Sequence, residues 1–244
     1  MTMDTTSPAP AVVDRATWQS HIDELRAREK SHTHEGDAIA AARRRLPMVE
    51  VDAATSLIGP QGPVTLLETF EGRRQLIAYY HMWFAGQPAA EQCEGCTYFN
   101  SQVRELSYLH ARDITYATFC QGSYEESSRY RDFMGWDVPW YSAAESLDVL
   151  MAGRGPFMLA CYLRQGDRVF ETYWTTGRGV EVMAPITGLL DRTVFGRQEP
   201  WEDSPLGWPQ DSTYQSWRTG GRPVAQWSRL AAGRSDDLGT TGGR

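Results

Sequence analysis

The sequence predicts an α/β fold with one central sheet. Two apolar runs, 75–80 and 114–120, are rich in β-branched and aromatic residues, as is typical of strands that are buried on both faces. Between these runs, apolar residues recur at helical spacing over 96–109. Residues 157–173 form two further apolar runs around a short polar turn, which predicts a β-hairpin. Strand, helix, strand and hairpin therefore belong to one α/β unit.

The composition limits the classes of function. The chain has 244 residues, of which 41% are hydrophobic, and this is enough for one sizeable core. Its formal charge of −7 disfavours nucleic acid and anionic lipid, since both attract clustered Lys and Arg. There is no run of about 20 apolar residues, and residues 1–6 are polar without a basic stretch. We therefore expect a cytoplasmic protein with neither a nucleic-acid partner nor a membrane span.

The chain divides into five parts by composition and periodicity. The predicted parts are a disordered N-terminus over 1–13, a helical arm over 14–46, a core domain over 47–195, an irregular Trp-rich extension over 196–230 and a disordered tail over 231–244. The arm is predicted from apolar residues at helical spacing, and Pro47 blocks its continuation.

Within the core domain, the order of elements follows from local patterns. A strand–turn–strand is predicted over 57–66, with a short helix over 67–70. The helix that starts at the second of two close cysteines is predicted to continue to about His110, and a polar helix follows over 124–134. A terminal helix is predicted over 180–190, where a proline must start or kink it.

The strongest chemical signal is Cys93-Glu94-Gly95-Cys96, between the first buried strand and its helix. A close cysteine pair in this context favours a redox dithiol over a structural disulfide. Cys93 is the expected nucleophile because the start of a helix stabilises a thiolate, and Cys96 is the expected resolving thiol. The charge of Glu94 is expected to oppose thiolate formation at Cys93 and so to favour a reductant.

Several segments together resemble a known bacterial family. They are Arg43-Arg44-Arg45-Leu46-Pro47-Met48-Val49-Glu50-Val51, Glu71-Gly72-Arg73-Arg74-Gln75-Leu76, the Cys93–Cys96 motif, Met134-Gly135-Trp136 with Pro139-Trp140, and Gly196-Arg197-Gln198-Glu199 with Trp201-Glu202. They look like the thioredoxin-like domain-of-unknown-function family eight-nine-nine, whose members are labelled predicted dithiol-disulfide oxidoreductases. The similarity runs from about Trp18 to Trp217, and it implies a thioredoxin-like fold closest to the peroxiredoxin-like branch.

The resemblance also implies substrate-positioning residues around the dithiol. Thioredoxin-like proteins place a cis-proline before the hairpin strand, so Gly155-Pro156 is expected to be cis and to face the dithiol. Trp83 and Phe84, in the loop before the dithiol, are expected to line the site if that loop folds back.

Other uses of the same residues stay open. The alternatives are a thiol peroxidase, a redox-sensing or interaction module without turnover, and a specialised metabolic tailoring enzyme. Ala90 stands where the usual peroxidatic arrangement would have a threonine, three residues before the reactive cysteine. Zinc would need two more ligands, and no second CxxC or His pair in the sequence supplies an obvious set. His81 and His110 are possible contributors, but each is better explained by a structural role. Neither a metal nor another cofactor is therefore expected.

The remaining thiols and the partners are less defined. Cys120 ends the second buried strand, where it is either a third redox thiol or a small core residue. The tryptophans Trp136, Trp140, Trp201 and Trp208 either wall a pocket or serve in packing. The expected partner is a protein or small-molecule disulfide, and a homo-oligomer is left open.

Overall fold

An eight-stranded mixed sheet organises the computed structural model, which describes residues 9–210 and 217–239. The strands of this sheet are β1 (Val49–Val51), β2 (Ser56–Gly59), β3 (Gly62–Thr65), β4 (Gln75–His81), β5 (Ile114–Cys120), β6 (Trp140–Ser142), β7 (Met158–Gln165) and β8 (Arg168–Thr175). The helices are α1 (Arg15–Arg43), α2 (Glu94–Asn100), α3 (Ser107–His110), α4 (Tyr124–Met134), α5 (Leu147–Met151), α6 (Pro185–Leu190) and α7 (Val224–Ala231). Short 3₁₀ helices cover Glu68–Phe70, Ala89–Glu91, Ala144–Ser146 and Gly177–Met183, and a separate two-stranded ribbon joins β9 (Arg218–Thr219) to β10 (Arg222–Pro223).

The strand order is thioredoxin-like. It reads β1-β8-β7-β4-β5-β6-β2-β3, with β4 parallel to β5 on one side and antiparallel to β7 on the other. The dithiol segment follows β4, and the hairpin β7–β8 lies beside the same strand. A thioredoxin-like fold has a central strand that is followed by a CxxC helix. A parallel strand lies on one side of this central strand, and an antiparallel hairpin lies on the other. Further strands extend the sheet at both edges, β1 beyond β8 and β6, β2 and β3 beyond β5.

Two hydrophobic clusters lie on the two faces of this sheet, because successive side chains of a strand point to opposite faces. Tyr79 of β4 belongs to the cluster that contains Cys96, whereas Ala78 and Tyr80 belong to the other. Both faces of β4 are therefore covered, as its continuous apolar sequence predicts. The predicted bounds of β5 and α4 agree with the structure.

The helix predicted over 96–110 is instead two short helices, α2 and α3. The side chain of Asn100 turns into the core, where its Oδ1 accepts hydrogen bonds from the hydroxyls of Tyr116 at 2.9 Å and Thr118 at 3.2 Å. Val103 and Leu106 still pack against the cluster around Cys96, although they lie in the connection between the two helices. The apolar spacing therefore continues where the helix does not.

The helical arm is one continuous helix of 29 residues, α1, with none of its residues buried. Asp14 caps its start by accepting a hydrogen bond from the Thr17 N–H at 2.9 Å. At its end, Arg45 donates to the Ala41 carbonyl at 2.6 Å, as a cation at a helix C-terminus is expected to do. Residues 1–8 of the predicted disordered segment lie outside the described residues. No helix in the described ranges is long and apolar enough to cross a bilayer.

The C-terminal extension is more regular than its composition predicts. It contains the β9–β10 ribbon and α7, and the buried Gln226 of α7 donates through Nε2 to the Ala89 carbonyl at 2.7 Å and to the Tyr130 hydroxyl at 2.8 Å. In the tail that was expected to be disordered, Leu238 is only 2% exposed and packs in the cluster around Cys96. A single apolar residue in a polar segment gives no periodicity, so the sequence does not reveal this contact. Residues 240–244 lie outside the described part.

Replacing Gln226 with Ala should destabilise the protein, because the Ala89 carbonyl and the Tyr130 hydroxyl each lose one buried hydrogen bond. We expect a loss of about 2–3 kcal/mol in the free energy of unfolding, measured by urea denaturation. Ser228→Ala on the exposed face of α7 is the matched control and should stay within about 0.5 kcal/mol of wild type. Equal stability of Gln226→Ala and wild type would show that α7 does not help to hold the core.

Candidate active site

The two cysteines occupy the junction between β4 and α2. Cys93 is the residue that caps α2, and its Sγ accepts a hydrogen bond from the backbone N–H of Cys96 at 3.3 Å. Cys96 lies one turn further, is 1% exposed, and accepts from the Met82 N–H at 3.4 Å. Both are free thiols. One sulfur is thus half-buried at the helix start, and the other is enclosed between the helix and the end of the strand.

The two thiols have opposite acidities. The pKa of Cys93 lies below its ordinary value of 9.0, first because the Cys96 thiol donates a hydrogen bond to it and then because the Cys96 backbone N–H does so. Partial burial and the charge of Glu94 act against this shift. The pKa of Cys96 is raised well above 9.0, mainly by burial and then by its contact with Cys93. Cys93 is therefore the sulfur that ionises first.

The charge of Glu94 does not act alone on the dithiol. Arg218 of β9 forms an ion pair with it at 3.2 Å and also donates to the Gln92 carbonyl at 3.1 Å. The expected opposition of Glu94 to the Cys93 thiolate is present, but hydrogen bonding outweighs it. Arg218 is a site residue that the sequence does not reveal, since 124 positions separate it from Glu94.

A cavity of about 320 Å³ opens at the dithiol. Phe99 of α2, Phe157 and Trp217 form apolar walls, and Arg178 and Glu181 add a polar side. The Trp217 ring stacks on Tyr98 with ring centroids 5.0 Å apart. A Cβ on Gly95 would lie 3.1 Å from this indole, so the glycine lets Trp217 approach the helix start. The wall residues from beyond α2 are further site residues that sequence patterns miss.

Pro156 does not occupy the predicted position. Within 9–210 and 217–239 no peptide bond is cis, so Gly155-Pro156 is trans and the expectation of a cis-proline is wrong. Pro156 is exposed, and its carbonyl accepts a hydrogen bond from Gln121 Nε2 at 2.5 Å, beside the end of β5. The next residue, Phe157, lines the dithiol cavity instead.

Trp83 and Phe84 lie in a loop that folds back, but neither lines the cavity beside Cys93. Trp83 is buried in the cluster with Cys96, and its Nε1 donates to Glu126 at 2.7 Å. The side chain of Gln92 accepts from the Phe84 N–H at 3.1 Å and donates to the Phe84 carbonyl at 2.9 Å. The loop therefore fixes the position of the residue immediately before Cys93.

Cys120 and His81 are partners in the register between β5 and β4. Burial raises the pKa of Cys120 to about 12, and its side chain is 0% exposed, which are the properties of a core residue. Burial lowers the pKa of His81 to about 4. Its Nδ1 lies 2.7 Å from the Met82 carbonyl, and its Nε2 has no hydrogen-bond partner in the described part of the chain. The residues that the structure describes contain no group of three or more potential metal ligands.

The four tryptophans that could have walled one pocket are divided between two places. Trp136 and Trp140 stack with ring centroids 5.7 Å apart and are buried against His81. Trp201 and Trp208 lie instead around a separate open depression beside α6. These four tryptophans therefore do not share one pocket, and Trp136 and Trp140 serve in packing.

Comparisons with known proteins give a family and a set of structural similarities. The model of the family described as "Bacterial protein of unknown function (DUF899)" matches residues 7–220. No curated protein matches.

Three solved structures illustrate the structural similarities. Thioredoxin from Wuchereria bancrofti is 18% identical, with a TM-score of 0.36, and the match covers 58% of this chain and 95% of that one. Peroxidoxin BcpB from Mycobacterium tuberculosis is 17% identical, with a TM-score of 0.37, over 51% and 82% of the two chains. Peroxiredoxin Q from Xanthomonas campestris is 13% identical, with a TM-score of 0.37, over 59% and 97%.

Replacing Glu94 with Gln should lower the pKa of Cys93 further, because it removes an adjacent negative charge that opposes the thiolate. The rate of Cys93 alkylation by iodoacetamide, followed against pH by mass spectrometry, should reach half of its plateau at a lower pH than in wild type. The exposed Glu145→Gln is the control and should leave the profile unchanged. A profile that moves upward in Glu94→Gln would contradict this electrostatic account.

The buried His81 should make stability depend on pH. Its pKa is about 4 in the folded protein, against an ordinary 6.5, so between these values the unfolded chain binds a proton that the folded chain does not. Acidification across this window should therefore remove about 3 kcal/mol of stability through this one group. Urea denaturation at pH 7 and pH 4.5 should show a smaller difference in His81→Gln than in wild type, whereas the exposed His32→Gln should match wild type. Equal pH differences in all three proteins would refute the role of His81.

Proposed function

The chain belongs to the DUF899 family of bacterial proteins, and we propose that it is a thiol-disulfide oxidoreductase in which Cys93 is the nucleophile and Cys96 the resolving thiol. The observation that carries this proposal is the asymmetry of the two sulfurs. Both cysteines line the cavity, but Cys93 is partly exposed and has a lowered pKa, whereas Cys96 is 1% exposed and has a raised pKa. In such a pair, the more acidic and more accessible thiol attacks the substrate disulfide, and the buried thiol then resolves the mixed disulfide.

In the first step, the Cys93 thiolate attacks one sulfur of a substrate disulfide. A Cys93–substrate mixed disulfide forms, and the other half of the substrate leaves as a thiolate that takes up a proton. Cys96, after losing its proton, then attacks the Cys93 sulfur and releases the second substrate thiolate. Two electrons have moved from the dithiol to the substrate, and the Cys93–Cys96 disulfide remains. Because the dithiol carries these electrons, the step requires no bound cofactor.

The lowered pKa of Cys93 serves exchange in both directions. A thiol of low pKa is more ionised at neutral pH and is also the better leaving group when the reaction reverses. Cys96 cannot meet a substrate directly because it is buried, so the mixed disulfide is assigned to Cys93. Peroxide reduction is the less supported chemistry, since Ala90 supplies no hydroxyl where the peroxidatic arrangement has one.

The cysteine variants separate these roles. Cys93→Ser should abolish turnover of a model disulfide such as bis(2-hydroxyethyl) disulfide, with dithiothreitol as the reductant. When Cys96→Ser is treated with the same disulfide in the absence of dithiothreitol, it should instead retain a mixed disulfide at Cys93, visible by mass spectrometry as one added 2-mercaptoethanol unit. Cys120→Ser is the matched control and should keep wild-type turnover, because Cys120 is buried in the core.

Two outcomes would contradict the proposal. A wild-type protein whose Cys93 and Cys96 show no two-electron redox transition would exclude exchange by this pair. Rapid reaction of Cys93 with hydrogen peroxide, together with no turnover of disulfides, would favour a thiol peroxidase instead.

A further inference from the structure

A second cavity, also of about 320 Å³, adjoins the one at the dithiol. The two cavities share Glu94 and Trp217 as lining residues. The second is enclosed by Tyr98 of α2, by Ile186 and Leu190 of α6, and by Val224 at the start of α7. Its walls thus come from three helices that sequence patterns do not bring together.

Most charged groups around the second cavity are held in ion pairs, and the carboxylate of Glu199, a further lining residue, accepts a hydrogen bond from Trp201 Nε1. Arg197 forms ion pairs with Asp191 at 2.6 Å and with Glu181 at 2.9 Å. Glu94 is paired with Arg218. In the described part of the chain, the Tyr98 hydroxyl is a buried polar atom of this wall that has no hydrogen-bond partner. The Ser101 hydroxyl is a second such atom, so a ligand there would meet a mainly apolar surface with a few polar atoms at its edge.

We propose that this second cavity binds an apolar aryl or alkyl group of a low-molecular-weight disulfide whose sulfurs lie in the first cavity, beside Cys93. This inference rests on the proposed exchange reaction and names its substrate class. Pockets of roughly 300–1,000 Å³ take small molecules, and each of the two cavities lies at the lower end of that range. Trp217, at the boundary, provides a wall to both parts of the substrate.

A folded protein partner fits this arrangement poorly. Cys93 is half-buried, and its cavity is bounded by Phe157, Trp217 and Arg178. A sulfur reached through such walls is accessible to a slender substituent rather than to a broad protein surface. The reaction is the exchange proposed above. The dithiol gives two electrons and two protons to the substrate disulfide, which leaves as two thiols.

Two substrates test the inference by their ratio of kcat/KM. The mixed disulfide of 2-mercaptoethanol with 2-phenylethanethiol carries an aryl group for the second cavity, whereas bis(2-hydroxyethyl) disulfide has none. Wild type should prefer the aryl substrate by about tenfold or more, as expected for burial of an apolar group. Leu190→Glu places a carboxylate in the cavity wall and should bring the ratio close to one. Leu189→Glu, on the exposed face of the same helix, should keep both rates and the ratio.

A binding measurement distinguishes failure of this inference from failure of the proposed function. In Cys93→Ser, 2-phenylethanol should bind by ligand-observed NMR, and adding Leu190→Glu, but not Leu189→Glu, should remove that binding. If wild type turns over neither disulfide, the proposed exchange reaction is refuted. The binding test still shows whether the second cavity takes an apolar group. The inference would be overturned by a wild-type ratio near one, by an unchanged ratio in Leu190→Glu or by absence of 2-phenylethanol binding. It would also be overturned if the disulfides of insulin were reduced faster than the aryl substrate.

Discussion

The point at which α2 begins determines the chemistry of this molecule. Because the helix starts immediately after Cys93, the Cys96 N–H donates to the Cys93 sulfur, and the Cys96 side chain falls one turn deeper against the end of β4. Thr97 adds a second tie, since its hydroxyl donates to the Cys93 carbonyl at 2.8 Å. The separation of nucleophile and resolving thiol therefore follows from local backbone geometry.

The surroundings of the dithiol come from distant parts of the chain. The Thr97 hydroxyl lies 2.6 Å from that of Tyr130 on α4, which in turn accepts from Gln226 of α7. Trp217 and Arg218 close the other side of the helix start. The C-terminal extension thus holds α2 in place and also shapes both cavities. The same segment therefore contributes both to the packing of α2 and to the cavity walls.

Local patterns predicted the central strands, α4, the hairpin and the dithiol, because buried strands and helix starts leave signals within a few residues. They failed where a contact depends on distant packing. Asn100 ends α2 by bonding to β5, although the apolar spacing continues beyond it. For the same reason the sequence does not reveal the roles of Arg218 and Leu238. Arg218 pairs with a residue more than a hundred positions away, and Leu238 packs against residues from several parts of the chain. The expectation of a cis-proline came from the resemblance alone. In the structure, Pro156 contacts Gln121, and Phe157 lines the dithiol cavity.

The most direct test of the account is an NMR titration of the reduced protein labelled with ¹³C at cysteine Cβ. The account predicts that the Cys93 resonance titrates at a pH below the ordinary thiol value of 9.0, while Cys96 stays protonated well above it. Cys120 should likewise remain protonated up to about pH 12. If Cys96 titrated first, or if both cysteines titrated together near pH 9, the asymmetry on which the proposed function rests would not exist.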